Sequence, residues 1–178
     1  MISGLERQTL MHQVYLLLGG NQGHVPTTMA AVRKRLEKLA GRVNARSRLY
    51  ASEPWEMDTT DVFLNQAIGL QTHLDPASLM KALLGLESAF GRVRNPEVVD
   101  SRPIDIDIMF YEQQVISSAG LVVPHPRLHL RRFALQPLSE IAPGLIHPVF
   151  GKSIADLLEE CPDPHWVRPF VEPNQLAS

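Results

Sequence analysis

The sequence predicts an α+β fold with helices on one face of a mostly antiparallel sheet. Three observations carry that prediction. Short strand-like apolar runs alternate with two longer stretches of helical periodicity, in the order β-α-β-β-α-β. Both helical stretches have start and stop residues where a helix needs them. The third is the stretch "SRPIDIDIMFY", residues 101–111, which sets Asp105 and Asp107 on alternate positions of an apolar strand, with Ile104, Ile106 and Ile108 opposite. This order is the split βαβ, or ferredoxin-like, pattern. A C-terminal β segment and short helices follow it.

Taken in order, "QVYLLLGG" (13–20) is an apolar run ending in glycines and reads as a buried strand. In "TTMAAVRKRLEKLAG" (27–41), Thr27 or Thr28 can cap a helix, Met29, Val32, Leu36 and Leu39 share a face, and Gly41 ends it. "RVNARSRLYAS" (42–52) alternates and reads as one strand, and "VFLNQAIGLQT" (62–72) as the next. In the latter, Leu64, Ile68 and Leu70 fall on one face, and Phe63 and Asn65 on the other. "DPASLMKALLGLESAFG" (75–91) is the clearest helix: Asp75 is an N-cap, Pro76 fits the first turn, and Gly91 closes it. Its apolar stripe is Leu79, Leu83, Leu86 and Phe90. A polar stretch (92–102) leads into the Asp strand. A small β segment (115–123), a Pro-rich turn "PHPRLH", short helices around 131–140 and 153–160, and an extended tail complete the chain.

A chain of 178 residues is read as a single domain, 1–178, with a core over about 13–160, a short N-terminal extension and a Pro-rich C-terminal tail. Seventeen Lys and Arg against nineteen Asp and Glu give a net charge of −2, so no overall basic field is available for nucleic acid. The single cysteine, Cys161, can form no internal disulfide and has no zinc-ligand spacing. No apolar run approaches membrane length, and the first residues lack the charge and apolar pattern of a signal peptide. A cytoplasmic, monomeric protein with no nucleic-acid or membrane partner is expected.

Asp is a poor strand former, and carboxylates at i and i+2 of a strand stand about 6–7 Å apart, close enough to repel. A solvated edge strand would tolerate them. So would a divalent-cation site, because hard oxygen ligands suit Mg²⁺, which takes one or two carboxylates plus substrate phosphates. Flanking charge favours the cation site: Arg92, Arg94 and Arg102 precede the pair, and Arg127, Arg131 and Arg132 follow it, an arrangement that resembles a phosphate clamp. There is no GxxxxGK[ST] loop, no HExxH and no GxSxG, which excludes P-loop, zinc-protease and serine-hydrolase readings. "GGNQG" (19–23) is a weak candidate for a phosphate-contacting turn. An aromatic ring and an amide on one face, Phe63 and Asn65, suit a flat heterocycle.

These pieces together resemble the 6-hydroxymethyl-7,8-dihydropterin pyrophosphokinase family of folate synthesis. The resemblance runs from about Val14 to Leu158 through "LLLGGNQG", "LYASEPW", "FLNQAIGLQT", "LESAFGRVR", "SRPIDIDIMFY" and "VPHPRLHLRRFALQPLSEIAP". It implies transfer of diphosphate from ATP to the pterin hydroxymethyl oxygen, leaving AMP. Two Mg²⁺ ions would be held by Asp105 and Asp107, with Arg92 and Arg102 assisting transfer. Glu87, Arg94, Arg102, Ile108, His125 and Arg131 would lie on the ATP side. The pterin would stack between Phe63 and Phe133, bonded by Asn65 and Ser52 and by the backbone near Trp55. The chain departs from the family at "VVDS" (98–101), where a basic residue, an aromatic, a glycine and a small residue are usual. A divergent paralogue, a non-catalytic pterin- or nucleotide-binding module, and a metal-dependent nuclease are the alternatives. The last is disfavoured by the charge balance and by the Phe63–Asn65 pair.

Overall fold

The computed structural model describes residues 10–57, 60–92 and 102–172. The order is β1 (His12–Gly20), α1 (Val25–Leu39), β2 (Arg42–Arg46), β3 (Tyr50–Ser52), β4 (Phe63–Thr72), α2 (Pro76–Ala89), β5 (Asp105–Tyr111), β6 (Ile116–Ser118), β7 (Leu121–Val123), α3 (Arg132–Ile141), α4 (Ile154–Glu159) and β8 (Val167–Pro169). The main sheet runs β5-β1-β4-β3-β8, all antiparallel, with β2 also paired to β4. β6 and β7 form a separate hairpin. The predicted ferredoxin-like core is present, with β2 and β3 together in the place of its second strand.

The strand expected over 42–52 is therefore broken. Residues 47–49 leave the ladder after a last backbone bond, Ser47 N donating to Ala67 O at 3.0 Å, and side chains take over: Ser47 Oγ accepts from Ala67 N at 3.0 Å, and Gln66 Nε2 donates to Ser47 O at 2.7 Å. α1 starts two residues before Thr27. His24 caps it, its ring nitrogen accepting from Thr27 N at 3.3 Å, and Pro26 sits in the first turn, where its missing N–H costs nothing. Leu39, expected on the apolar face, is 56% exposed; Val25, Met29, Val32 and Leu36 are the buried stripe. α2 begins as predicted, with Asp75 accepting from Ala77 N and Ser78 N.

Two cores flank the sheet. Leu16, Leu18, Ile68, Leu70, Ile104, Ile106 and Ile108 pack under α1 and α2 with Met29, Leu36, Leu79 and Leu83. The sequence predicts helices on one sheet face only, with the opposite face open, and here the structure differs. Leu17, Ala67, Met109 and Phe110 need cover there, and Leu135 and Leu138 of α3 with Ile154 and Leu157 of α4 supply it. A β-bulge supports this layer. Leu16 pairs with Ile108 but Tyr15 with Phe110, so Met109 is the extra residue and Phe110 turns to the second core while Ile106 and Ile108 stay in the first. α3 and α4 cover only part of the face, and a cleft remains beside them. Among the described residues no helix is long and apolar enough to cross a membrane.

Candidate active site

The cleft has a volume of about 300 Å³ and is walled by the starts of β4 and β5, the segment after β3, and the turn into α3. Eleven of the residues singled out from sequence line it: Ser52, Trp55, Phe63, Asn65, Arg92, Arg102, Asp105, Asp107, His125, Arg131 and Phe133. They come together from segments up to 81 positions apart because β4 and β5 both pair with β1, side by side with their first residues at the same end. Leu17, Gly19, Glu53, Met57 and Arg127 complete the lining. Neither Glu53 nor Met57 is legible as a site residue from sequence; Glu53 stands within "LYASEPW", which was the available signal, and Met57 had none. Arg127 was visible only as one of the flanking arginines.

The glycine-rich turn after β1 positions the site. A Cβ at Gly20 would meet Pro103 O at 2.7 Å, so only glycine lets the 102–104 strand entry approach this closely. Asn21 then holds Arg102 by its backbone: Asn21 N donates to Arg102 O at 3.1 Å, and Arg102 N donates to Asn21 Oδ1 at 2.8 Å.

Asp105 is already engaged by cations. Arg102 Nη1 donates to its Oδ2 at 2.8 Å, and Arg92 pairs with its Oδ1. Arg92 is in turn paired with Glu87, which is 1% exposed and lies behind the cleft wall, where its Oε1 also accepts from Ile106 N at 2.8 Å. Asp107 receives no hydrogen bond from the described residues. Burial, and then the Asp105 charge beside it, push its carboxyl up to about 6. The pair is therefore short of positive charge at Asp107. Among the described residues no group of three or more His, Cys, Asp and Glu could cage a metal.

The opposing wall is cationic and aromatic. Arg131 stacks on Trp55 at 4.6 Å and on Phe133 at 5.6 Å, and Arg127 stacks on Trp55 at 4.8 Å while pairing with Glu56 at 2.7 Å. Among the described residues the Nε donors of Arg102 and Arg131 are buried and have no hydrogen-bond partner. Both arginines line the cleft, and a guanidinium is matched to the oxygens of an anionic ligand. His125 is held below its usual range, to about 4, by burial and then by Arg131 and Arg127. Its Nδ1 accepts from Arg127 N at 3.2 Å, and Arg131 Nη1 lies 3.2 Å from Nε2. A neutral imidazole accepts at one nitrogen only, so with Nδ1 accepting, Nε2–H and the Arg131 guanidinium present donors to each other.

Phe63 and Phe133 both reach the cleft. Asn65 also lines the cleft and is buried, its Nδ2 donating to Ser52 Oγ at 3.0 Å, and Gly19 leaves room for its Oδ1. The Ile108 side chain is 3% exposed in the core under the helices, so any ligand contact there would use backbone. Arg94 and the "VVDS" stretch lie outside the described residues. Arg132, counted with the clamp from sequence, turns from the cleft to bond Asp163 O and Cys161 O, each at 3.0 Å.

Residues 15–143 match the sequence profile of 7,8-dihydro-6-hydroxymethylpterin-pyrophosphokinase (HPPK). The chain is 39% identical over 149 residues to a 2-amino-4-hydroxy-6-hydroxymethyldihydropteridine pyrophosphokinase of Methylorubrum extorquens, covering 83% of this chain and 92% of that one. It is 38% identical over 160 residues to the folic acid synthesis protein fol1 of Pneumocystis carinii, covering 89% of this chain but only 21% of that longer protein. Among solved structures, Plasmodium falciparum HPPK-DHPS superposes with a TM-score of 0.71 at 15% identity, over 87% of this chain and 45% of that one.

Proposed function

The chain belongs to the 7,8-dihydro-6-hydroxymethylpterin-pyrophosphokinase family, and from that premise we propose that it transfers diphosphate from ATP to the hydroxymethyl oxygen of 6-hydroxymethyl-7,8-dihydropterin. The observation that carries the reading is the lining of one cleft by two unlike sets of groups: an acid pair with arginines, and two phenylalanine rings with a buried amide. The first set suits a triphosphate and the second a flat heterocycle with a polar edge.

In the proposed reaction the hydroxymethyl oxygen attacks the β-phosphorus of ATP. The new O–Pβ bond forms as the bridge from Pβ to the α-phosphate oxygen breaks, AMP leaves with that oxygen, and the alcohol proton is lost to solvent. Such transfers depend on positioning and charge stabilisation more than on covalent help from protein. Phe63 and Phe133 hold the ring, and Asn65 with Ser52 reads its edge and orients the hydroxymethyl arm. Asn65 carries both donor and acceptor, which a pterin edge requires. Arg131 and Arg102 offer guanidinium donors to phosphate oxygens, and His125 its ring nitrogen. Arg92 and Arg102 leave Asp105 for the phosphates as the acid pair is neutralised. Asp105 and Asp107 would hold Mg²⁺, two ions in this reading, and bound there the metal supplies charge neutralisation and polarisation of the attacked phosphate.

The test is release of AMP from ATP by the purified chain. It is expected only when Mg²⁺ and 6-hydroxymethyl-7,8-dihydropterin are both present. AMP formed without the pterin, or none formed with it, would end this reading.

A further inference from the structure

The segment after α4, Cys161–Phe170, lies beyond the residues that match the family profile and contributes nothing to the cleft lining. It nevertheless holds both cleft walls. At one end is Asp163, whose side chain is 1% exposed. Its Oδ2 accepts from Arg132 N at 3.0 Å, satisfying the first N–H of α3, where the N-cap residue offers no side-chain acceptor. Its Oδ1 accepts from His165 N at 3.1 Å and lies 2.5 Å from His165 Nδ1. The Arg132 guanidinium closes the same clamp on the carbonyls of Asp163 and Cys161. At the other end Trp166 N donates to Glu53 Oε2 at 2.9 Å, and β8 pairs with β3 from Ser52↔Val167 to Tyr50↔Pro169.

Arg132 stands between two cleft residues, Arg131 and Phe133. Fixing its backbone and side chain on the outside fixes the direction of both neighbours on the inside. Glu53 stands between Ser52 and Trp55 on the facing wall. We propose that Cys161–Phe170 is a strap that sets the separation of Trp55 and Phe133, now 6.2 Å between ring centroids, and that Asp163 is its positioning residue. The inference deepens the pterin reading and rests on it for one of its two readouts. Loosening the strap affects the two substrates unequally. Arg131 has a long side chain that can reach a phosphate from a displaced backbone, whereas the Phe133 ring turns about only two torsions and loses its stacking plane.

The experiment compares Asp163→Ala and Asp163→Asn in the full chain carrying Trp166→Phe, which leaves Trp55 as the sole tryptophan of two. Without ligand, Trp55 emission is expected to move to the red, and its quenching by acrylamide to rise about twofold, in the alanine variant. The asparagine variant, which keeps an oxygen for Arg132 N, should fall between. By calorimetry, 6-hydroxymethyl-7,8-dihydropterin should bind about tenfold more weakly to the alanine variant and about threefold more weakly to the asparagine variant. A non-hydrolysable ATP analogue should stay within about twofold. Unchanged Trp55 emission, unchanged pterin affinity, or equal losses for both ligands would overturn the strap. Should the alanine variant fail to fold, the asparagine variant decides by the same criteria. A parent chain that binds no pterin would overturn the functional reading, and the fluorescence comparison would still decide on the strap.

Discussion

Asp107 shows what a buried acid beside a second acid costs a fold. It sits beside Asp105, receives no hydrogen bond from the described residues, and has its carboxyl pushed up to about 6, first by burial and then by its neighbour's charge. A folded pKa above the unfolded value means the folded state keeps this proton to higher pH. The associated stability is present below about pH 4 and lost as pH rises through about 6. Asp107→Asn removes that cost. It is expected to melt higher than the parent at pH 7, with the gap closing towards pH 4, by scanning calorimetry without metal. The same variant should lose AMP formation by on the order of 10²–10³-fold. A variant that melts lower at pH 7, or that keeps full turnover, would contradict this account. The alternation of Asp105 and Asp107 with isoleucines was fully legible in the sequence, because a period of two needs no tertiary knowledge. Which of the two acids would be engaged by arginine was not. That depends on Gly20 and Asn21, the latter 81 positions from Arg102, fixing the strand entry from which Arg102 reaches Asp105.

At the scale of elements, the predictions that held rest on local chemistry and the misses on partners. The Asp75–Pro76 start of α2 came straight from capping rules. His24 was missed as the cap of α1 because two threonines nearby are better caps on average, and Pro26 in the first turn was the available signal. The break between β2 and β3 could not be read, since it is stabilised by Ser47 and Gln66 bonds that exist only once β4 lies alongside. The junction of α1 and β2 gives a test at this scale. Gly41 has φ +142°, and a Cβ there would clash with Gln71 O, a backbone atom of the central strand β4. Neither side can yield without shifting the ladder. Gly41→Ala is expected to cost about 2–4 kcal/mol of unfolding free energy in urea. The site at the far end of β4 should be spared, so binding of an ATP analogue at saturating stability is expected to be unchanged.

The whole molecule makes its cleft by incomplete coverage. α1 and α2 cover one sheet face, and α3 with α4 pack on the other over Leu17, Ala67, Met109 and Phe110. The strands continue past that cover, so Phe63, Asn65, Asp105 and Asp107 emerge from under it beside the start of α3. From sequence this face was expected to be free, because the apolar residues of α3 and α4 do not by themselves say which layer they join. Phe133 stands where the second core ends and the cleft begins: it packs on that core and lies 6.2 Å from Trp55. Its removal should therefore test the division of the cleft between ring and phosphate. Stacking of an aromatic side chain on a heterocycle is worth about 1–3 kcal/mol. Phe133→Ala is thus expected to weaken pterin binding about ten- to a hundredfold. Arg131 keeps Trp55 as a stacking partner at 4.6 Å when the ring is gone, so its guanidinium stays available to phosphate. An ATP analogue should then bind within about twofold of the parent. Calorimetry with each ligand separately checks this: equal losses would mean that the ring supports the cleft as a whole and does not face the pterin.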